Sequence, residues 1–211
     1  MSERSPYNMA KTLEIAQKTF AKCDPNLVAQ LSKCPYAEKT NKFTVSYLGQ
    51  TYYVSFPEGI VTNSDYQGAD YITAILLLHY LSGASGVESS DTWISFKELQ
   101  SGSIYVGPFH KRAINPLVKG FGTDPAAFCQ AAKHLGGIAT TFGDYSYVIP
   151  VLPRIPLVLV LWQGDDEFPA TGNILFDQHA NTYLHTEDYA HLASQTVYTM
   201  LRLKHSLSAD K

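Results

Sequence analysis

Charge is scarce in this sequence. Asp, Glu, Lys and Arg make up 17% of its 211 residues, against 45% hydrophobic. That balance excludes a chain disordered over most of its length. The basic residues never form a run and the net charge is −3, so the electrostatic footprint that nucleic acid requires is missing. No basic amphipathic helix offers itself to an anionic membrane surface. The longest apolar runs, 72–78 and 157–162, fall far short of the about 20 residues that cross a bilayer. The leading segment Met1–Pro6 lacks the apolar core of a secretory signal, and none is expected. Cysteine is also rare. Cys23, Cys34 and Cys129 are odd in number, widely spaced and outside any C-x-x-C pair, which excludes a disulfide framework and the usual zinc or iron–sulfur pattern. The expectation is a cytoplasmic protein with unpaired, reduced thiols and neither a nucleic-acid nor a membrane partner.

Catalytic signatures are equally thin. The Gly/Ser-rich stretch 81–91 lacks the lysine of a P-loop and the glycine spacing of a dinucleotide site, and reads as a flexible connection at the edge of a site. No G-x-S-x-G occurs, and Cys129 and His134 are five apart, off a common helical face. H-x-x-x-H is absent too. What the chain has in quantity is Tyr (14) and Phe (10). Tyrosine packs its ring and presents a hydroxyl at a pocket rim, or simply margins an ordinary core.

Periodicity predicts the elements. Leu13, Ala16 and Phe20 recur at helical spacing over 7–22. Asp24-Pro25 reads as a cap and first helical position, and Cys34-Pro35 as a stop. Segments 43–48 and 51–56 flank Gly49-Gln50, which reads as a type II′ hairpin turn. Residues 69–81 are apolar on almost every side and predict a central core helix. Segment 93–99 reads as an irregular strand or a turn-rich segment. Two helices follow over 109–121 and 125–135, the first kinked by Pro116 and the second started by Asp124-Pro125. Pro150, Pro153 and Pro156 predict a poorly paired, extended lead-in. Segment 157–162 is apolar at every position and reads as a strand covered on both faces. A shorter strand over 174–177 and a Thr186-capped helix over 187–207 close the chain. There is no βαβ repetition. The fold class expected is α+β: one domain over residues 1–211, with a mainly antiparallel or mixed sheet and flanking helices.

One long pattern carries a resemblance. The stretch LVLVLWQGDDEFPATGNILFDQHANTYLHTEDYAHLA, together with LSGA, WISFKEL, GFGTDPAAFCQAAKHLGG and FGDYSYVIPVLPRIP, resembles the bacterial domain family of unknown function numbered 3786, over about residues 10–203. The resemblance implies an anaerobic bacterial setting, in a family where some members are fused to ferredoxin-like or iron–sulfur segments. No such segment occurs here. The family's proline-glycine turn appears in this chain as Gln100-Ser101-Gly102.

The acidic turn after Trp162 is where a site is expected. Asp165, Asp166 and Glu167 stand between Trp162 and Phe168. Two readings are open. They are solvated in a surface loop anchored by the aromatics, or some point inward to a ligand, a cation or Arg154. Desolvation by Trp162 and Phe168 would raise their pKa values unless Arg154 or a cation compensates. Arg154, alone in an uncharged run, needs a carboxylate or an anionic ligand if buried. Asp177 ends a strand, as Asp144 follows a Gly turn. Asp165, Asp177, His179 and His185 could supply metal ligands, but His179 to His185 spans a turn rather than a helix, and no metal site is expected.

Three functions compete. The first is a small-molecule or cofactor-binding module of anaerobic metabolism, with no particular cofactor implied. Its site residues are Trp162, Asp165, Asp166, Glu167, Phe168, Arg154, Asp177 and Trp93. The second is a metal-assisted enzyme working through 165–177. The third is a non-catalytic protein docking on a redox partner. A pocket lined by Trp162 and Trp93 favours the first, converging acids and histidines the second, and a flat apolar patch the third.

Overall fold

The structure of the protein, a computed structural model, describes residues 6–209. Residues 1–5, most of the segment read for a secretory signal, lie outside the described residues. Helix α1 (Pro6–Phe20) buries Ala16 and Phe20. Asp24 then caps α2 (Pro25–Ser32) by accepting the Asn26 and Leu27 N–H groups, with Pro25 in the first turn. Lys33, in the left-handed region at φ 57°, ends that helix. Strands β1 (Tyr36–Ala37), β2 (Lys42–Tyr47), β3 (Gln50–Ser55) and β4 (Val61–Asn63) form an antiparallel sheet in sequence order.

The β2–β3 turn differs from the sequence expectation. Tyr47 pairs with Gln50, so the turn residues are Leu48 and Gly49, with φ 50° and 75°. Positive φ at both positions is the type I′ pattern. Leu48 is 6% exposed. Burial of its side chain holds a non-glycine residue where the backbone costs roughly 1–2 kcal/mol.

Helix α3 (Tyr71–Gly83) starts on the Asp70 carboxylate, which accepts from the Ile72 and Thr73 N–H groups. It is buried continuously from Thr73 to Leu78 and again at Tyr80 and Leu81, as its all-round apolar sequence predicts. The Tyr80 hydroxyl donates to the Ser32 carbonyl and accepts the Arg154 N–H.

All of this belongs to the first of two compact units. That unit runs through Glu88 and takes in Leu152–Arg154 and Thr182–Leu184; the second comprises Ser89–Val151, Ile155–Asn181 and the chain from His185 onward.

In the second unit, β5 (Trp93–Ser95) leads through a 3-10 turn, Phe96–Glu98, into helix α4 (Gly102–Phe109). Helix therefore begins at Gly102 rather than at 109. It passes through a π segment, His110–Ile114, into α5 (Asn115–Phe121) without a break. The π register is explicit, since the Asn115 N–H reaches the His110 carbonyl. Pro116 explains part of it. Pro116 has no N–H for the Arg112 carbonyl four residues back, and that carbonyl accepts from Ser194 Oγ instead, at 3.0 Å. Helix α6 (Pro125–His134) is capped by Asp124 through the Ala127 N–H.

Strands β6 (Ile138–Ala139), β7 (Tyr145–Leu152), β8 (Ile155–Trp162) and β9 (Thr171–Asp177) join β5 in a sheet of order β5-β9-β8-β7-β6. Strand β8 is central, with Leu157 to Leu161 all at 0% exposure, as its sequence predicts. Of the three prolines expected in a poorly paired lead-in, Pro150 and Pro156 lie within β7 and β8 and Pro153 in the turn between them. Pairing of β6 with β7 stops at Val148, and pairing of β9 with β8 starts at Leu157. Pro150 and Pro156 sit beyond those ends, where a lost N–H disrupts no outer ladder.

Helix α7 (Thr186–Ala209) closes the chain. The His185 carbonyl accepts its Tyr189 N–H. Thr186 is the first helical residue rather than the cap expected, and its hydroxyl donates to the Gln100 carbonyl at 2.6 Å while accepting from the Asn181 NH2.

The protein is thus α+β, with its strands gathered in two sheets and helices between them in sequence. No helix among the described residues is long and apolar enough to cross a membrane.

Candidate functional site

The centre of the second sheet ends at Trp162. This residue pairs with Thr171 and is 38% exposed. Its indole lies on Gly143, where an added Cβ would come within 2.9 Å of Cε2 and Nε1. Gly143, at φ +85°, is the residue that leaves room for the ring.

On the far side of β9, Ser95 ends β5 and ties the following turn. Its hydroxyl and N–H both donate to Glu98 Oε2, at 2.6 and 2.8 Å. The Ser95 hydroxyl, and then its N–H, hold the Glu98 carboxyl below the usual carboxylate range. Helix α4 approaches this turn so closely that a Cβ on Gly102 would meet the Phe96 carbonyl oxygen at 1.9 Å. That contact is the physical reason for glycine in the Gln100-Ser101-Gly102 turn, whose Ser101 takes φ 61°. The close approach lets Phe96 and Phe109 stack, with centroids 4.0 Å apart and an interplanar angle of 4°. Phe176 packs against both, and Tyr189 meets Phe176 edge-on.

These elements flank an open cleft of about 580 Å³. Val106 lines one side over the almost fully buried Phe96 and Phe109, and Trp162 with Thr171 to Asn173 supplies another wall. Lys97, Glu98 and His110 bring charged and titratable groups to it. Its volume falls in the ordinary range for small-molecule sites.

Of the eight side chains expected at a site, Trp162 lines this cleft. Trp93 is half-buried in β5, paired with Asp177, and is not among the lining residues. Asp165, Asp166, Glu167 and Phe168 are all exposed. The Asp165 carboxylate accepts the Phe168 and Glu167 N–H groups, at 2.7 and 2.9 Å. Those N–H groups, Phe168 first, lower its pKa. This is opposite to the rise expected from desolvation, because the carboxylate closes its own turn.

Arg154 finds its carboxylate elsewhere, in the first unit. Nη1 stands 2.7 Å from Glu88 Oε1, and the Arg154 side chain is 10% exposed. The contact with Arg154, and then with Lys33, lowers the Glu88 pKa. The role this supports for Arg154 is a structural ion pair.

Asp177 is buried and closely held. Oδ2 accepts from Ser89 Oγ, Ser90 N–H and Ser90 Oγ at 2.8, 2.8 and 2.9 Å, and Oδ1 accepts the His179 N–H at 2.8 Å. Burial pushes its pKa up, but the His179, Ser89 and Ser90 donors outweigh that and leave it lowered. Asp144 is likewise engaged, accepting the Gln163 N–H at 2.8 Å. Among the described residues no group of three His, Cys, Asp or Glu side chains is placed to hold a metal ion. The three cysteines are free thiols, and burial pushes buried Cys34 up to about 11.

Phe96, Lys97, Glu98, Val106, Phe109 and His110 are cleft residues that sequence reasoning did not select. One signal for them was present. Ser95-x-x-Glu98 is the spacing of a capping box, which marks an ordered turn rather than loose strand.

No curated protein and no solved structure matches the chain. A family model does: it matches residues 24–199, most of the chain, and is described as Domain of unknown function (DUF3786). With W-x-G-D-x-E-F-P and I-L-F-D both inside the matched span, the chain belongs to that family.

Proposed function

We propose that the protein is a small-molecule-binding module and that its ligand occupies the cleft between the Phe96–Glu98 turn, helix α4 and the Trp162 end of the sheet. One observation carries this reading. A cleft of about 580 Å³ has the exposed Trp162 indole on its wall and polar side chains around it, and that combination is what small-molecule sites use. The π segment beginning at His110 adds support, because such register shifts gather at functional sites. The family resemblance supports an anaerobic bacterial metabolic setting for the module.

The test is a screen of small aromatic fragments by methyl NMR on the protein and on Val106→Trp, which fills the cleft. Fragments that bind should shift the Val106 methyls and the Trp162 indole N–H in the parent protein, and should fail to bind the variant. A screen in which no fragment moves those signals overturns the reading.

A further inference from the structure

Arg154 carries more donors than its ion pair uses. Its side chain is 10% exposed, and Nε and Nη1 are both buried without a hydrogen bond. Glu88 Oε1 stands 2.7 Å from Nη1 but off the line of its N–H bonds, so that contact is ionic only. A covered guanidinium with unused N–H groups is costly. The neighbouring tyrosines do not relieve it. The Tyr80 hydroxyl accepts the Arg154 backbone N–H and donates to the Ser32 carbonyl, and the Tyr183 hydroxyl donates to the Val87 carbonyl. The partner is as exposed as Arg154 is covered. The Glu88 side chain is 71% exposed and belongs to the stretch 84–90, which is neither helix nor strand. Its Oε2 also faces Lys33 Nζ, at 3.4 Å, and Lys33 is itself 53% exposed. Two basic groups thus converge on one carboxylate at the surface, where ion pairs hold weakly.

We propose that Arg154 and Lys33 form a binding site for a phosphate group, free or on a small phosphomonoester, and that Glu88 fills it as a stand-in from the chain itself. Lys33, Glu88 and Arg154 all belong to the first unit, so the site does not depend on the cleft reading above. Glu88 brings one charge and two oxygens to two cations. A phosphate near neutrality brings about −1.5 to −2 and three acceptor oxygens. It therefore meets both charges more fully and offers acceptors to N–H groups that Glu88 leaves unused. The exposed Glu88 side chain turns into water without disturbing a packed element, and the place it leaves is open to solvent. A cationic ligand would be repelled by Arg154 and Lys33. A neutral one would leave Arg154 uncompensated once Glu88 turned away.

Inorganic phosphate, methyl phosphate and acetate test this. Each is titrated into the full chain at constant ionic strength and neutral pH, and read by the Arg154 Nε–H and the Val87 and Glu88 backbone N–H resonances. Phosphate should shift them at millimolar concentration and bind about three- to tenfold more tightly than acetate, the range of one further exposed ion pair. Methyl phosphate binding more tightly than the free ion would make the ligand a phosphomonoester, and the reverse order would make it phosphate itself; both support the site. Glu88→Gln removes the competing charge and should tighten phosphate by a similar factor. Lys33→Ala should weaken it by as much, with the denaturation midpoint unchanged. No shift at millimolar phosphate, or acetate binding as tightly, overturns the proposal. So does an affinity that Glu88→Gln leaves unchanged or lowers, or that Lys33→Ala leaves unchanged. If Glu88→Gln unfolds the chain, Glu88 is a fixed structural partner of Arg154 and the proposal fails.

Discussion

Replacing Asp177 by alanine should destabilise the protein without touching the cleft. The carboxylate receives four hydrogen bonds, two from backbone N–H groups and two from serine hydroxyls, and the residue is 7% exposed. The hydroxyls of exposed Ser89 and half-buried Ser90 can turn to water once the acceptor is gone, so their loss costs little. The Ser90 and His179 N–H groups are fixed by the backbone and lose a charged acceptor. Hydrogen bonds to charged groups contribute about 1.5–3 kcal/mol each, and partial rescue by water brings the total to about 3 kcal/mol. Urea unfolding of the parent and Asp177→Ala at pH 7 measures it. The pH dependence sharpens the test. The folded-state pKa of Asp177 is lowered, so its contribution is present above the unfolded value of about 4 and is lost as pH falls through the lower folded value. The gap between parent and variant should be widest near neutrality and should close in acid. A gap below about 0.5 kcal/mol at pH 7, the size of an ordinary surface change, would refute the reasoning. So would a gap that stays constant down to strongly acid pH.

Leu159→Ala, in the middle of β8 at 0% exposure, should cost about 2–5 kcal/mol in a denaturant melt; a loss under 1 kcal/mol would mean the strand is not central. Gly102→Ala puts a methyl 1.9 Å from the Phe96 carbonyl oxygen. The variant should therefore be destabilised and should lose the ring-current shifts of the stacked Phe96 and Phe109, and unchanged NMR shifts there would contradict the close approach. Ser194→Ala removes the donor to the Arg112 carbonyl and should cost about 1 kcal/mol. Pro116→Ala restores an N–H four residues on, so the two changes should not add in a double-mutant cycle; strict additivity would argue against this account of the π segment.

How much was legible follows from where the energy of each feature resides. Asp24-Pro25 and Asp124-Pro125 start helices through bonds spanning two or three residues, so their outcome is written in adjacent letters. Continuous apolarity over 157–162 requires cover on both faces wherever the strand ends up, and the α+β class follows from the order of such segments. Other features needed partners distant in sequence. The hairpin turn moved to Leu48-Gly49 because Leu48 is buried. Pro150 and Pro156 became strand because β6 and β9 stop short of them. Thr186 gave its hydroxyl to Gln100 rather than to its own helix. Arg154 met Glu88, far back in the chain, and not the nearby acids. Asp177, expected at a ligand site, is held by Ser89, Ser90 and His179. The cleft brings residue 162 and residues 171–173 together with residues 95–110. Trp162 was visible as a candidate because a large aromatic at the exit of a buried strand is a local fact. Lys97 and His110 were not, because only the pairing of β5 with β9 and the approach of α4 that Gly102 permits put them across from it.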